Sequence, residues 1–473
     1  MIVQDRKERK MGTLEESIKE FVRGRGVDVV GVAGPERLDG PPSLDPEYTM
    51  PGAKSIVSVA VPMDVDAIYK FLGKVTPSIH NVDQLLGNQR AFRVCDETAE
   101  YIRSLGYRAE AVPSNNNYRR SLDHFSTHPD FSHRFGAVLS GIAAQGWSGN
   151  VMTKEYGAAI YLGTVVTDAV LESDPLLPPR YFIDNYCAKC RLCAKSCTAC
   201  MFTETDEEEY VLLNGELHPR GKRHSIDLCN ASCFGLHALN KDKTWSTWGW
   251  YWIKDWIGRK PEGSRLKLRL DLLKWGGMTG DSTPRYNLIR LMASKLWPEE
   301  VIDSITPLDR WPEDQGEMNR KLRDDEARIF GVTGQRDPNL VTCGHCALVC
   351  GPTPKETASR YNALVNGGIV VPGPDIDTWI RCRDYAEAVE MRKKYPFRVS
   401  RLQMYRDQIA SLALWTRFYF GFEPRSFFGA LAYKRRLKKA VDEYLISSNP
   451  RPLSTAEEPA RDDVSTCGAS MKE

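Results

Sequence analysis

The chain has 473 residues, 42% of them hydrophobic and 27% charged. That is longer than one typical core and an ordinary globular mix, which excludes collagen-like, low-complexity and wholly disordered classes. Sixty-four Lys and Arg stand against 62 Asp and Glu, a formal net charge of +2, so bulk charge draws the protein to neither nucleic acid nor an acidic substrate. No apolar run reaches the ~18 residues that a membrane-spanning helix needs. The start, MIVQDRKERKMG, is charged with no apolar stretch behind it, so the expected location is the cytoplasm.

Taken in chain order, Thr13-Leu-Glu-Glu16 reads as a capping box that opens an amphipathic helix running to about Arg23. Val27–Val32 and Ser55–Val61 are β-branched runs and read as buried strands, with Gly34–Pro51 a Pro/Gly-rich loop between them. Helical periodicity covers Arg90–Ser104 and stops at Gly106, and a second apolar helical pattern covers Phe131–Ala144. Ala158–Val170 reads as strand. The alternation predicts an α/β first domain over residues 1–180, inside an α+β protein. Residues 181–235 and 335–355 hold the dense cysteine runs. Between them, residues 236–334 carry eight of the 11 tryptophans. This insertion reads either as helices packing Trp over the cysteine module or as an element touching a membrane surface or partner. Residues 356–449 read as helical, aromatic and basic, ending in Lys434-Arg-Arg-Leu-Lys-Lys439, a second candidate for surface contact; residues 450–473 read as a disordered tail.

Thirteen cysteines without an export signal argue against a disulfide scaffold. Cys187, Cys190, Cys193 and Cys197 form C-x2-C-x2-C-x3-C, the spacing of bacterial two-cluster ferredoxins, in which the fourth cysteine ligates the other cluster. Cys343, Cys346 and Cys350 form C-x2-C-x3-C. The pattern predicts two [4Fe–4S] clusters. One is held by Cys187, Cys190, Cys193 and Cys350, and the other by Cys343, Cys346, Cys197 and either Cys233 or Cys229. Structural zinc is the competing reading of paired C-x2-C motifs, although zinc ribbons seldom use three cysteines at this spacing. Thr198 follows the first run and Gly351-Pro352 the second, so the proline usual after the last cysteine is missing or displaced. Cys200 is expected to pack beside the first cluster, and Cys95, Cys382 and Cys467 to be incidental thiols. No GxGxxG fingerprint follows a strand, and no radical C-x3-C-x2-C run is present.

The stretch FGAVLSGIAAQGWSGNVMTKEYGAAIYLGTVVTDAVLESD, followed closely by the first cysteine run, resembles cobalamin-dependent iron–sulfur reductases: the reductive dehalogenases and the epoxyqueuosine reductases. DVVGVAGPERL and YTMPGAKSIVSVAVPM are similar to the same N-terminal domain, and the resemblance covers residues 12–235 and 340–353. It implies a nitroreductase-like domain holding a base-off corrinoid, followed by a ferredoxin-like module with two [4Fe–4S] clusters. Gly146-Trp147, with Gly149 and Asn150, is similar to the glycine-rich corrinoid-contacting turn of epoxyqueuosine reductases. The TKEYGAAIYLGTVVTD phrasing and the missing tRNA-binding repeat tail lean toward the dehalogenases. The insertion before Cys343 is longer than either family carries.

The resemblance implies reduction of an organic, organohalide-type small molecule at cobalt, with a general acid to protonate the product. Candidates lie at Tyr118, His124, His128, Asp130, His133 and Arg134. Asp130 stands sixteen residues before Gly146, the spacing of the proton-donating aspartate in epoxyqueuosine reductases. Tyr118, aided by Arg119, Arg120 or Arg134, matches the dehalogenase pattern instead. The bland alternative for Asp130 is a helix N-cap. The expected partners are a soluble low-potential donor, ferredoxin or flavodoxin-like, and a small-molecule substrate, with nucleic acid not expected. A tRNA-modifying enzyme and a pure electron-transfer subunit are the alternatives.

Overall fold

The computed structural model describes residues 13–113, 129–224, 239–248, 343–374, 379–395 and 424–447, together with Cys229 and apart from positions 77, 200 and 204. Tyr118, Arg119, Arg120, His124, His128, Cys233 and most of the Trp-rich insertion lie outside them.

Alternate residues of the apolar runs face opposite sides of a four-stranded sheet. Its strands are β1 (Val29–Ala33), β2 (Ser55–Pro62), β3 (Ala109–Val112) and β6 (Ile160–Thr167), in the order β1-β2-β6-β3. On one face Val30, Val32, Val57, Val59 and Val165 pack against α1 (Leu14–Gly24) and α3 (Ser78–Ser104). On the other face Val29, Ile56, Ala60 and Val166 pack with α4 (His133–Leu139). Burial on both faces explains the unbroken apolar strands. Every pairing in this sheet is antiparallel, so the first domain is α+β and not the α/β arrangement that strand–helix alternation predicts. The capping box forms as expected, with Thr13 and Glu16 exchanging side chain-to-backbone hydrogen bonds. The expected Arg90–Ser104 helix starts earlier, at Ser78, and the Phe131–Ala144 pattern shortens to α4, because Gly141 at φ +77° turns the chain out of the helix.

Beyond α4 come the strands β4 (Ala144–Gln145) and β5 (Val151–Met152), paired through a turn over residues 146–150. Helix α2 (Val65–Leu72) lies beside α3. The cysteine runs carry α5 (Tyr181–Asn185), α6 (Leu192–Lys195) and α7 (His345–Leu348). Between the runs stands a hairpin, β7 (Glu208–Leu213) and β8 (Glu216–Gly221), turning at Asn214 and Gly215, both at positive φ.

Helix α8 (Pro354–Asn366) follows, and then the wholly helical expectation for residues 356–449 fails. A two-stranded ribbon, β9 (Ile369–Pro372) with β10 (Trp379–Cys382), precedes α9 (Tyr385–Lys394). The ribbon closes over Leu239 and Ser246 of the insertion's edge. Trp245 and Trp248 are buried there. Trp248 packs edge-on against Trp379 at 5.1 Å and donates its indole N–H to the Phe71 carbonyl at 2.8 Å. Basic helix α10 (Pro424–Ser447) docks by Tyr433, whose hydroxyl accepts from the Leu212 N–H, and by an Arg436–Asp39 ion pair. Among the described residues no helix is long and apolar enough to cross a membrane.

Candidate functional site: two groups of thiols

The two cysteine runs fold alike. Arg191 (φ 52°) and Gly344 (φ 60°) each hold the left-handed turn between two cysteines, and a four-residue helix follows each. In the first, Ala194 N–H bonds back to Arg191 O at 3.1 Å, and in the second Ala347 N–H bonds back to Gly344 O at 2.9 Å. Each helix throws its last cysteine across to the other set. Cys350 stands with Cys187, Cys190 and Cys193, whereas Cys197 stands with Cys343, Cys346 and Cys229. Cys229 is therefore the described fourth member of the second group.

The crossing of Cys350 is built on Gly157, at φ +65°. A Cβ there would lie 2.5 Å from the Gly351 backbone, and the following Ala158 N–H donates to Cys350 O at 3.1 Å. Only glycine allows that approach.

Cys187, Cys190, Cys193 and Cys350 line one small cavity, together with Trp147, Ser148, Met152, Arg191 and Thr357. Among the described residues no three Cys, His, Asp or Glu side chains come close enough to share a single metal ion. Thiolates around one zinc stand about 4 Å apart. Four thiols facing one space are the donor set that an iron–sulfur cluster takes. Burial pushes the Cys187 thiol up to about 11 and the Cys197 and Cys350 thiols up to about 12, and drives Cys193 and Cys343 well above their ordinary value. Buried thiols of this kind shed their protons when a cationic centre binds them.

The turn 146–150 bridges both groups. Trp147 N–H donates to Cys187 Sγ at 3.4 Å, and Asn150 Nδ2 donates to Cys346 Sγ at 3.2 Å. The turn closes on itself through Gly146 N–H to Asn150 O and Gly149 N–H to Gly146 O, both 2.9 Å, with Gly149 at φ +75°. The residues expected to meet a corrinoid thus also touch the thiols. Met201 N–H reaches Cys197 Sγ at 3.4 Å. Around the second group, His345 Nδ1 lies 2.9 Å from Cys343 Sγ. The buried Lys74, pushed down to about 7 by desolvation, faces Cys343, whose negative charge offsets part of that shift.

Toward the sheet, Arg134 is near enough to Cys346 for its charge to favour the thiolate. Asp130 is half-buried just before α4 and is not its cap; Ser132 is, accepting from Phe135 N–H at 3.4 Å. One buried polar side chain is orphaned: both amide heavy atoms of fully buried Gln145 have no hydrogen-bond partner. Gln145 pairs across the hairpin with Val151, on the face covered by α4. Unmet polar atoms on a buried side chain fit a polar guest. Sequence reasoning missed Lys74, Gly157 and the Arg191–Trp147 contact. Only Arg191, inside the cysteine run, carried any local signal.

An antiparallel sheet domain stands beside a module of eight gathered thiols, in a chain of mixed helices and strands. No protein-family pattern matches the chain. Its sequence is 26% identical over 162 residues, 34% of this chain and 46% of the relative, to an epoxyqueuosine reductase of Atelocyanobacterium thalassa. The resemblance is the one expected from the sequence, to an oxidoreductase. The chain spans just under half the length of that curated relative. Among solved structures, a catabolic reductive dehalogenase in complex with 3-bromo-4-hydroxybenzoic acid overlaps at a TM-score of 0.34 and 16% identity, covering 46% of this chain and 29% of that one. Epoxyqueuosine reductase from Streptococcus thermophilus overlaps at a TM-score of 0.29 and 17% identity, covering 43% and 55%. An epoxyqueuosine reductase with a modified tRNA-Tyr stem loop overlaps at 0.31 and 14%, covering 74% and 98%.

Proposed function

We propose that the chain is a cobalamin-dependent iron–sulfur oxidoreductase with a nitroreductase-like first domain and a ferredoxin-like thiol module. The observation that carries this reading is the gathering of four thiols around one cavity, with a second group of four beside it. Cys187, Cys190, Cys193 and Cys350 hold one [4Fe–4S] cluster, and Cys343, Cys346, Cys197 and Cys229 hold the other. When bound, the clusters supply one-electron transfer and the corrinoid supplies two-electron reduction at cobalt.

The chain's own residues do the rest. Trp147 N–H and Asn150 Nδ2 donate to sulfur and fix the spacing of the two thiol groups. Gly146 and Gly149 keep the turn narrow enough for a planar guest, and Gln145 and His133 offer it polar contacts. Asp130 gives the proton that the reduced substrate takes up, with Arg134 holding negative charge close by. Tyr118 is the alternative donor for that one proton. The substrate is an organic small molecule of the organohalide class, and the electrons come from a soluble ferredoxin- or flavodoxin-like donor.

The curated relative's name favours a second reading, a tRNA-modifying reductase. Anaerobically purified protein tests both. About eight irons and one cobalt per chain, with a corrinoid band in the visible spectrum, are expected. Iron alone, after reconstitution with cobalamin, overturns the reductase in favour of an electron-transfer subunit. Turnover of halogenated aromatics and not of epoxyqueuosine tRNA selects the first reading, and the reverse selects the second.

A further inference from the structure

Arg191 sits between Cys190 and Cys193 at φ 52°, a backbone conformation that costs an ordinary side chain energy. The matching position of the second run is Gly344, which takes the same turn without cost. Something offsets that cost at Arg191. Its guanidinium stacks on Trp147, 3.1 Å from the ring centroid, inside the cavity lined by Cys187, Cys190, Cys193 and Cys350. Nη2 reaches Asp206 at 3.3 Å, but Asp206 is almost fully exposed. Nε and Nη1 are buried and have no hydrogen-bond partner. A guanidinium has five donors in a fixed plane, and two left buried and unmet cost stability unless a guest accepts them. The cation is also close enough to favour the Cys187 thiolate. The second group has no side chain at the equivalent position.

We infer that Arg191 is the residue that sets the reduction potential of the cluster held by Cys187, Cys190, Cys193 and Cys350, donating Nε–H and Nη1–H to its sulfurs. The inference rests on the proposed iron–sulfur reading. Reduction adds one electron from the donor to the cluster and moves no proton. A fixed cation at the sulfurs therefore stabilises the reduced form and raises the potential of that cluster alone.

The test is an EPR-monitored redox titration of the anaerobically purified full chain, wild type against Arg191→Asn and Arg191→Gln. Asparagine tolerates the left-handed turn, so the fold is kept while the charge goes and the shorter amide no longer reaches the sulfurs. The expected result is a fall of at least about tenfold in the reduction equilibrium of one cluster, about 59 mV for one electron, with the other unmoved. Arg191→Gln keeps an amide donor and falls less, and it is the variant read if Arg191→Asn loads poorly. Two loaded clusters with unmoved potentials, even at lowered thermal stability, reduce Arg191 to a structural role and overturn the inference. An equal fall in both clusters overturns it too. Fewer than about eight irons in the wild type overturns the cluster reading itself, and is told apart by iron content before any potential is measured.

Discussion

The two cysteine runs share a backbone and differ in what they rest on. The first run leans on the β4–β5 turn and an apolar cluster of Trp147, Phe182 and Ile183. The second leans on α2 and α3, where Leu348 and Val349 pack with Phe71, Ile79, Trp245 and Trp248. A permanently charged guanidinium faces the first group, while a buried lysine and a histidine face the second. Equivalent loops can thus hold equivalent ligand sets and give them unequal electrostatics. The ligand loop fixes the sulfur count, and the supporting shell sets the field that the sulfurs feel.

The comparison breaks most visibly at the crossed cysteines. Cys350→Ser is expected to cost the cluster of the first run, and Cys197→Ser that of the second. In each case iron falls by about half, and the surviving EPR signal identifies which group remains. If Cys350→Ser and Cys346→Ser remove the same signal, the crossing is wrong. Trp147→Ala removes the aromatic floor of the first group and the Arg191 stack, and is expected to lower unfolding stability by about 3–5 kcal/mol. A chemical denaturation curve measures the drop.

On the second side, Asp83 follows His80 by one turn of α3 and accepts from the Tyr161 hydroxyl at 2.7 Å. Burial raises its carboxyl to about 6. The protonated form is favoured in the fold, so its contribution is fully present below about pH 4 and lost as pH rises through about 6. The loss amounts to about 3 kcal/mol. Asp83→Asn should flatten stability across that window, and urea unfolding at several pH values checks the slope; an unchanged slope would refute the assignment.

A smaller effect sharpens the crossing further. Gly157→Ala puts a Cβ against the Gly351 backbone and is expected to cost about 1–3 kcal/mol. The cluster sharing Cys350 should be lost before the other on exposure to chelator. Least in size is Asn150→Ala, which deletes one N–H···S bond, about 1 kcal/mol. It should lower the potential of the second group's cluster only, as read by redox titration.

Much of this site was legible from spacing. The grouping of Cys187, Cys190 and Cys193, and the expectation that Cys197 leaves them, follow from the reach of a short turn plus one helical turn. The capping box at Thr13 and the strands Ser55–Pro62 and Ile160–Thr167 were readable for the same reason: local pattern dictates them. The β7–β8 hairpin and the β9–β10 ribbon were not read. Their stability comes from partners distant in sequence, α10 for one and residues 239–246 for the other. By sequence a helix cap stood as the bland alternative for Asp130, and the geometry of Ser132 takes that role instead.

The amino-acid sequence by itself determined which atoms are available: seven thiols at ligand spacing, an eighth at Cys229 or Cys233, and apolar strands to carry them. Tertiary structure alone brought Cys229 beside the second group, placed Asn150 and Trp147 as donors to sulfur, and set a guanidinium toward one set of thiols and a buried lysine toward the other. Covalent spacing limits what neighbours along the chain can reach. Which distant groups come to share a desolvated space, and so interact strongly, is set only when the whole core packs.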